Sequence, residues 1–453
     1  MKFVCLHLLA YVIASFGAVG TAETAETEQD IVRRVIFKLE PKAKLGGRLY
    51  YDSRMSNAGA NLATSCRSCH VPPFVSNDKQ MFADVRDLSV IPANSTGGKL
   101  TTKRNTPNLQ DATIQTSFNA DGRYTDLDAF LKAKLTSLHF GWEAGSEEYS
   151  LNQIHALLFT DQGEDVFADG TYIEQFNAAM GVDINTVNQE VAIQAVIDSL
   201  IAYLETLQTT NTSAYDALAF LNRFNEGLAG QGDTPQALSG RIIGRITNQE
   251  SRVSIRFPNI YDEVAYQGYK TFIRIEATYS TSSADVEDNI GNCIACHVPP
   301  KFTDGLFHNS GTAQTAYDAE HGEGAFAKID ASSTEGIDLG RYSIDVSDEN
   351  VGVFKTPGLR NVTKTSPYNH DGSHATLEDV IRHKIKISEM AKAGTLRNPD
   401  PAYLTMNLTE ADIPNLVAFL KTLDEVPEED YRNFRIENVR IRQDQLGQQT
   451  YDN

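Results

Sequence analysis

Apolar residues in this chain form one continuous run at its start and periodic stripes after it. The run, "FVCLHLLAYVIASFGAVG", follows Lys2 and gives way to small and then acidic residues. That is the pattern of a secretory signal peptide over residues 1–22, with cleavage near Ala22. No later stretch is apolar enough to span a bilayer, so the sequence predicts a periplasmic protein without a stable membrane anchor. Elsewhere the period is helical. Ile193, Ile197, Leu200, Leu204 and Leu207 recur at helical spacing and predict a helix that closes on "LIAYLETL". On a helical wheel of "TLEDVIRHKIKISEM", Leu377, Val380, Ile381, Lys384 and Ile385 share one face. A further amphipathic helix, "LVAFLKTL" from Leu416, has Thr409 as its N-cap and acidic Asp412 three residues on. Two Gly-plus-aromatic segments, "KLGGRLYYD" (44–52) and "AYQGYKTFI" (265–273), also read as helices. The predicted fold class is mainly α.

These elements occur twice in the same order. Each Gly-plus-aromatic helix precedes a C-x-x-C-H-V-P-P cassette, "CRSCHVPP" from Cys66 and "CIACHVPP" from Cys293. T-P-x-L follows, from Thr106 and Thr356, and then Asp-Gly at Asp121 and Asp371, a spacing of 15 in both halves. A Leu comes six residues after each Asp, at Leu127 and Leu377, and an amphipathic helix closes each half. Order, spacing and residue type together read as an internal duplication. The predicted organisation is a first domain over 30–207, a second over 208–425 and a charged, Gln-rich tail over 426–453. The segment from 208 to about 262 joins the halves and is expected to pack on the second.

Composition narrows the function. A length of 453 residues suits two to three domains, and a formal net charge of -20 argues against a nucleic-acid partner. Such a surface steers basic proteins or cations instead. Of five cysteines, Cys5 falls in the signal segment and the other four form the two C-x-x-C pairs. Such pairs serve a structural zinc, a redox disulfide or a c-type haem. The sites lie 227 residues apart in an exported chain, and each has its own adjacent His, which favours two covalent haems. Cys66, Cys69, Cys293 and Cys296 then form the thioethers, and His70 and His297 ligate the irons.

With these motifs in view, the chain resembles the bacterial di-haem cytochrome c peroxidase family, including the MauG-like enzymes. The resemblance is carried by "KLGGRLYYDSRMSNAGANLATSCRSCH", "RNTPNL", "DGR", "FHNSG" and "FKTPGLRNVTKTSPYNHDGSHATLEDV". It implies two tandem cytochrome c-like haem domains, the first peroxidatic and the second storing and delivering electrons. It implies a calcium ion between them, held by the Asn105 side chain and the carbonyls of Thr365 and Pro367, a donor set that suits a hard cation. Hydrogen peroxide is the implied oxidant. Electrons come from a small redox protein (a cytochrome c or a cupredoxin) or from a protein substrate, and a homodimer is common in the family.

The chain departs from the family pattern at several places. Ala120 of "FNADGR" stands where the family has an inter-haem Trp, and the one Trp is Trp142. Phe130 stands at a family Gln. The family's distal Glu falls at Phe140, so His139 and Glu143 become the candidates for proton transfer. The sixth ligand of the second haem falls at Lys384, with His383, Met390, Met406 and an open site as alternatives. A Lys held among apolar residues has a lowered pKa, and a neutral amine ligates iron. His370 is expected to play a site role, and His308 to hydrogen-bond a haem propionate or a ligand. His155 and His321 read as structural. A closed electron carrier or redox sensor is the alternative to a peroxidase.

Overall fold

The computed structural model describes residues 27–57, 63–70, 74–75, 79–80, 90–91, 100–102, 104–224, 234–252, 254–258, 261–275, 290–333, 337–428, 430–432 and 439–441. The expected signal segment lies outside them. Among the described residues no helix is long and apolar enough to cross a membrane.

The chain is mainly helical. The first half contains α1 (Glu28–Phe37), α2 (Pro41–Tyr51), the short α3 (Cys66–Cys69), α4 (Leu127–Leu135), α5 (Glu147–Thr160), α6 (Tyr172–Met180) and α7 (Gln189–Glu205). The second contains α8 (Ala214–Leu221), α9 (Pro235–Ser251), α10 (Glu263–Ile273), α11 (Thr312–His321), α12 (Leu377–Lys392), α13 (Pro401–Thr405) and α14 (Ile413–Lys421). The described strands form four small antiparallel pairs. These are β1 (Phe74–Val75) with β2 (Lys79–Gln80), β3 (Val90–Ile91) with β4 (Leu100–Thr101), β5 (Arg256–Pro258) with β8 (Val439–Ile441), and β6 (Phe307–Asn309) with β7 (Val353–Lys355).

Two main cores divide the helices. One gathers Leu45, Leu49, Ile193, Val196, Leu200 and Tyr203, with Cys66 packed on its edge. The other gathers Tyr215, Tyr269, Phe272, Ile294, Leu416 and Phe419, with Cys293 on its edge. The segment after 208 belongs to this second core through Leu218, Leu238 and Ile242. In each half the Gly-bearing helix crosses the closing helix at backbone contact, α2 on α7 and α10 on α14. A Cβ on Gly46 would lie 1.8 Å from the Ser199 carbonyl oxygen, and one on Gly268 would lie 1.9 Å from that of Asn415. The predicted cap at Thr409 is present, with Thr409 N–H and hydroxyl donating to the Asp412 carboxylate, but it opens a 3₁₀ turn that leads into α14.

Between the T-P-x-L motif and the helix after Asp-Gly, the two halves repeat in the backbone at an offset of 250 residues. Asp111 and Asn361, Asn119 and Asn369, and Gly122 and Gly372 are pairs of left-handed residues. Asp, Asn and Gly tolerate that conformation best. The antiparallel bridges Phe118–Tyr124 and Tyr368–His374 correspond, and so do the helix starts at Leu127 and Leu377, capped by Asp126 and Thr376.

A buried polar cluster braces the first half. The Arg48 guanidinium is fully buried and donates to Asp161 at 2.8 Å, to Asp165 at 2.5 and 2.8 Å and to the Gln175 side-chain oxygen at 2.6 Å. In the second half Arg360 pairs both its terminal nitrogens with Asp216, and its Nε donates to the Pro300 carbonyl just after the second cassette. Glu425, Asn361 and Gln110 bind one another across the two halves.

Candidate functional site

At the first cassette, one helical turn lifts His70 out of α3, with its N–H donating to the Cys66 carbonyl at 2.8 Å. Tyr50 of α2 donates its hydroxyl to the His70 carbonyl at 2.6 Å, which ties the cassette to the helix crossing. Burial, followed by the neighbouring Cys69, pushes the Cys66 thiol up to about 12. Opposite, α4 ends in a 3₁₀ turn, Leu138–Phe140, that carries His139. Thr64, two residues before the cassette, donates to the His139 carbonyl at 3.1 Å, and the Ser137 hydroxyl lies 3.2 Å from Nδ1. Burial and then the charges of Lys134 and His70 lower this imidazole to about 4, so it is neutral at pH 7.

Of the two proton-transfer candidates, the structure turns only His139 inward. Gly141 takes a left-handed conformation, Trp142 is buried in the first core, and the chain then leaves the core so that Glu143 is exposed. Glu143 lies on the surface, and His139 is the candidate that faces the first cassette. Phe130 stacks on Phe118 at 5.2 Å and meets Tyr124 edge-on, giving an aromatic wall where an amide is expected from the resemblance.

At the second cassette, His297 N–H donates to the Cys293 carbonyl at 2.8 Å, the same turn as at His70. His297 Nδ1 is 2.9 Å from the Phe302 carbonyl, an acceptor, so Nδ1 carries the hydrogen and Nε2 is the nitrogen with a lone pair for a metal. Burial pushes this imidazole down to about 4 and the Cys293 thiol up to about 12. Lys384 reaches this cassette from α12. Burial lowers its amine to about 8, against the opposing influence of Cys296 and Cys293. Its Nζ lies 5.8 Å from the ring centre of Tyr403, whose phenol is raised well above the ordinary range by burial and then by Cys296.

The other ligand candidates go elsewhere. His383 Nε2 is 3.0 Å from the Ser310 carbonyl and the ring lies 4.8 Å from His374. Met390 packs against a small cluster of Ile387, Ala391 and Leu396, and Met406 is a buried member of the second core. His155 lies edge-on to Phe159, and His321 stacks on Tyr317. His308 is clamped between two carboxylates, Nε2 to Asp304 at 2.8 Å and Nδ1 to Asp400 at 2.5 Å. Burial opposes its charge, but these two bonds and then Cys296 outweigh burial and push it up to about 12. Tyr403, Asp304 and Asp400 are site neighbours that no sequence spacing singled out.

Between the halves lies a third group of residues. His370 stacks face to face on Phe354, with ring centres 3.6 Å apart. Arg104 binds Asp338 at 2.6 and 2.8 Å and Asp121 at 2.8 Å. Asn105 N–H donates to the His370 carbonyl at 2.6 Å, and its Nδ2 is 2.5 Å from the Pro367 carbonyl. Asn105 Oδ1 is buried without a hydrogen-bond partner. A buried orphan oxygen beside a backbone carbonyl fits a hard cation. Ala120, at the expected Trp position, packs against the cluster around Phe354, and its carbonyl accepts from Lys355 N–H.

Cys66, Cys69, Cys293 and Cys296 are not joined in disulfides, and Cys66 and Cys293 pack on different cores. That arrangement does not serve a single tetrahedral zinc. At the second cassette, a Cys293 thiol raised by burial, beside a His297 whose Nδ1 is engaged by the Phe302 carbonyl, fits haem attachment.

Comparison with known proteins agrees. Residues 40–223 match the family model for di-haem cytochrome c peroxidase. The methylamine utilization protein MauG of Methylophilus methylotrophus is 26% identical over 383 residues, covering 84% of this chain and 82% of that protein. The cytochrome-c peroxidase IdrP2 of Denitromonas iodatirespirans is 23% identical over 430 residues and covers 90% of each chain. Among solved structures, a MauG-like protein associated with microbial copper homeostasis superimposes with a TM-score of 0.51 at 22% identity, covering 85% of this chain and 90% of that one. These matches support the di-haem cytochrome c peroxidase family for this chain. It is an oxidoreductase of the peroxidase type.

Proposed function

We propose that the chain is a periplasmic di-haem enzyme that reduces hydrogen peroxide with electrons from a small redox protein or a protein substrate. The observation that carries this reading is the repeated cassette on two separate cores, with neutral His139 facing only the first. In it, 30–207 and 208–425 are tandem haem domains. Cys66, Cys69 and His70 hold one group, and Cys293, Cys296 and His297 hold the other. When bound, each group supplies a one-electron iron centre, the first for peroxide and the second for electron storage. Lys384 would offer its amine to the second group. Asn105, Thr365 and Pro367 would hold a calcium ion between the halves.

The protein's own part is proton handling. Peroxide reduction takes two protons and two electrons to two waters. Neutral His139 would take the proton from one peroxide oxygen at a ring nitrogen and deliver it to the other, and with two electrons and two further protons both oxygens leave as water. With no Trp at Ala120, the stacked Phe354 and His370 are the π-systems between the halves. Steady-state assay with a reduced small cytochrome c tests the reading. Two donor electrons should be consumed per peroxide, and a holoprotein that consumes no peroxide is a carrier or sensor instead.

A further inference from the structure

The two Gly-bearing helices differ where they meet their cassettes. Gly46 of α2 and Gly268 of α10 make the same close backbone contact with a closing helix, and the next side chain met is Tyr203 in the first half and Phe419 in the second. Aligned on these glycines, Tyr50 and Tyr51 correspond to Phe272 and Ile273. The ring packing is the same in both halves. Tyr50 and Tyr203 have ring centres 5.0 Å apart, and so do Phe272 and Phe419. Only the first half carries hydroxyls on these rings. A phenol gives up an electron far more readily than a phenyl ring, so the difference between the halves is chemical.

The phenols lead outward from the first cassette. Tyr50 is 2% exposed and donates its hydroxyl to the His70 carbonyl at 2.6 Å. Its ring centre lies 5.4 Å from that of Tyr51, within the contact range of aromatic pairs, and Tyr51 is partly exposed. Arg67, inside the cassette, lies 6.0 Å from the Tyr51 ring centre. Tyr203 is fully buried, so that branch does not end at the surface. This half holds a rival pair, buried Trp142 and exposed Tyr149, with ring centres 6.1 Å apart. Trp142 Nε1 has no hydrogen-bond partner, whereas Tyr50 is bonded to the backbone of the residue that would hold the iron.

We propose that Tyr50 and Tyr51 form a one-electron exit from the first site, with Tyr51 as its surface terminus. It serves when peroxide has oxidised that site and no electron arrives from the second half. This rests on the reading that the first cassette is the peroxidatic one. The oxidised site gains one electron and Tyr51 loses one. The Tyr51 phenol, protonated at neutral pH, releases its proton to water and becomes a neutral radical. A carbonyl takes up no proton, so Tyr50 bridges the transfer and keeps its hydrogen. A phenolic donor at the surface then supplies one electron and one proton, which restores Tyr51 without entry to the haem site.

The test is freeze-quench EPR of the holoprotein mixed with hydrogen peroxide and no donor, in wild type and in the Tyr51→Phe, Tyr50→Phe and Tyr149→Phe variants. Wild type should give an organic radical signal that narrows when the protein is made with ring-deuterated tyrosine. Tyr51→Phe should lose that signal, Tyr50→Phe should lose it or form it later, and Tyr149→Phe should keep it. Hydroquinone should discharge it. Unchanged spectra of both haems show that a variant is folded. Peptide mass spectrometry of peroxide-treated wild type, which needs no variant, should find tyrosine oxidation or coupling at Tyr51. A wild type that consumes peroxide without forming the radical overturns the proposal, and so does a Tyr51→Phe variant that keeps the full signal. Loss of the signal in Tyr149→Phe alone also overturns it and assigns the exit to Trp142 and Tyr149. A radical that persists in hydroquinone overturns the surface terminus. A wild type that consumes no peroxide overturns the proposal together with the peroxidase reading.

Discussion

Replacing His139 with alanine should slow peroxide reduction by about 10²–10⁴-fold, the usual contribution of a positioned acid–base group. Both haems should stay attached, because the side chain lies on a 3₁₀ turn whose bond to Thr64 is made through the backbone carbonyl. The pH profile carries a second signature. Burial, with the charges of Lys134 and His70, lowers this imidazole to about 4 from 6.5. Wild-type kcat/KM should therefore stay level from pH 7 down to about 5 and fall only near pH 4, as the base becomes protonated. An ordinary imidazole would lose activity near 6.5. The linkage sign is that of a depressed His. The unfolded state binds the extra proton between the two values, so this group's contribution to stability is present above 6.5 and is lost as pH falls toward 4. A His139→Ala enzyme that keeps the wild-type rate, or a wild-type acid limb near 6.5, would remove His139 from the mechanism.

The second large effect concerns the helix crossings. Gly→Ala in an exposed helix normally gains about 0.5–1 kcal/mol. At Gly268 the new Cβ would sit 1.9 Å from the Asn415 carbonyl oxygen and 2.9 Å from Phe419 Cβ, and at Gly46 it would sit 1.8 Å from the Ser199 oxygen and 2.9 Å from Tyr203 Cβ. The obstacle is backbone, which cannot swing aside as a side chain can. Each substitution should therefore cost about 3 kcal/mol or more, at or beyond the upper end for overpacking. Gly244 of α9 is the control, because a Cβ there meets nothing within 4 Å. Denaturant titration should show Gly46→Ala and Gly268→Ala far less stable than wild type and Gly244→Ala equal to it or better. Equal stability for all three would mean that the helices do not cross at these glycines.

Much of this architecture was legible in the sequence because its strongest signals are local. Positions needing a left-handed backbone select Asn, Asp or Gly, so Asn119 and Asn369 with the Gly at 122 and 372 mark the same turn twice. Helical periodicity separated Lys384 from His383, since adjacent residues lie about 100° apart on a helix, and the structure sends His383 to Ser310 instead. Long-range groupings left no such trace. The clamp on His308 brings Asp304 and Asp400 together from positions 96 apart, and Tyr403 reaches Lys384 from a separate helix. The outward position of Glu143 depends on the left-handed Gly141 and the burial of Trp142, a tertiary outcome.

The central claim is that two irons in one chain serve one two-electron reduction. Anaerobic titration of the fully reduced protein with hydrogen peroxide, followed by its visible spectrum, tests that most directly. The account predicts that a single equivalent of peroxide per chain oxidises both haems together. Two haems that remain reduced and unreactive as peroxide is added would contradict it.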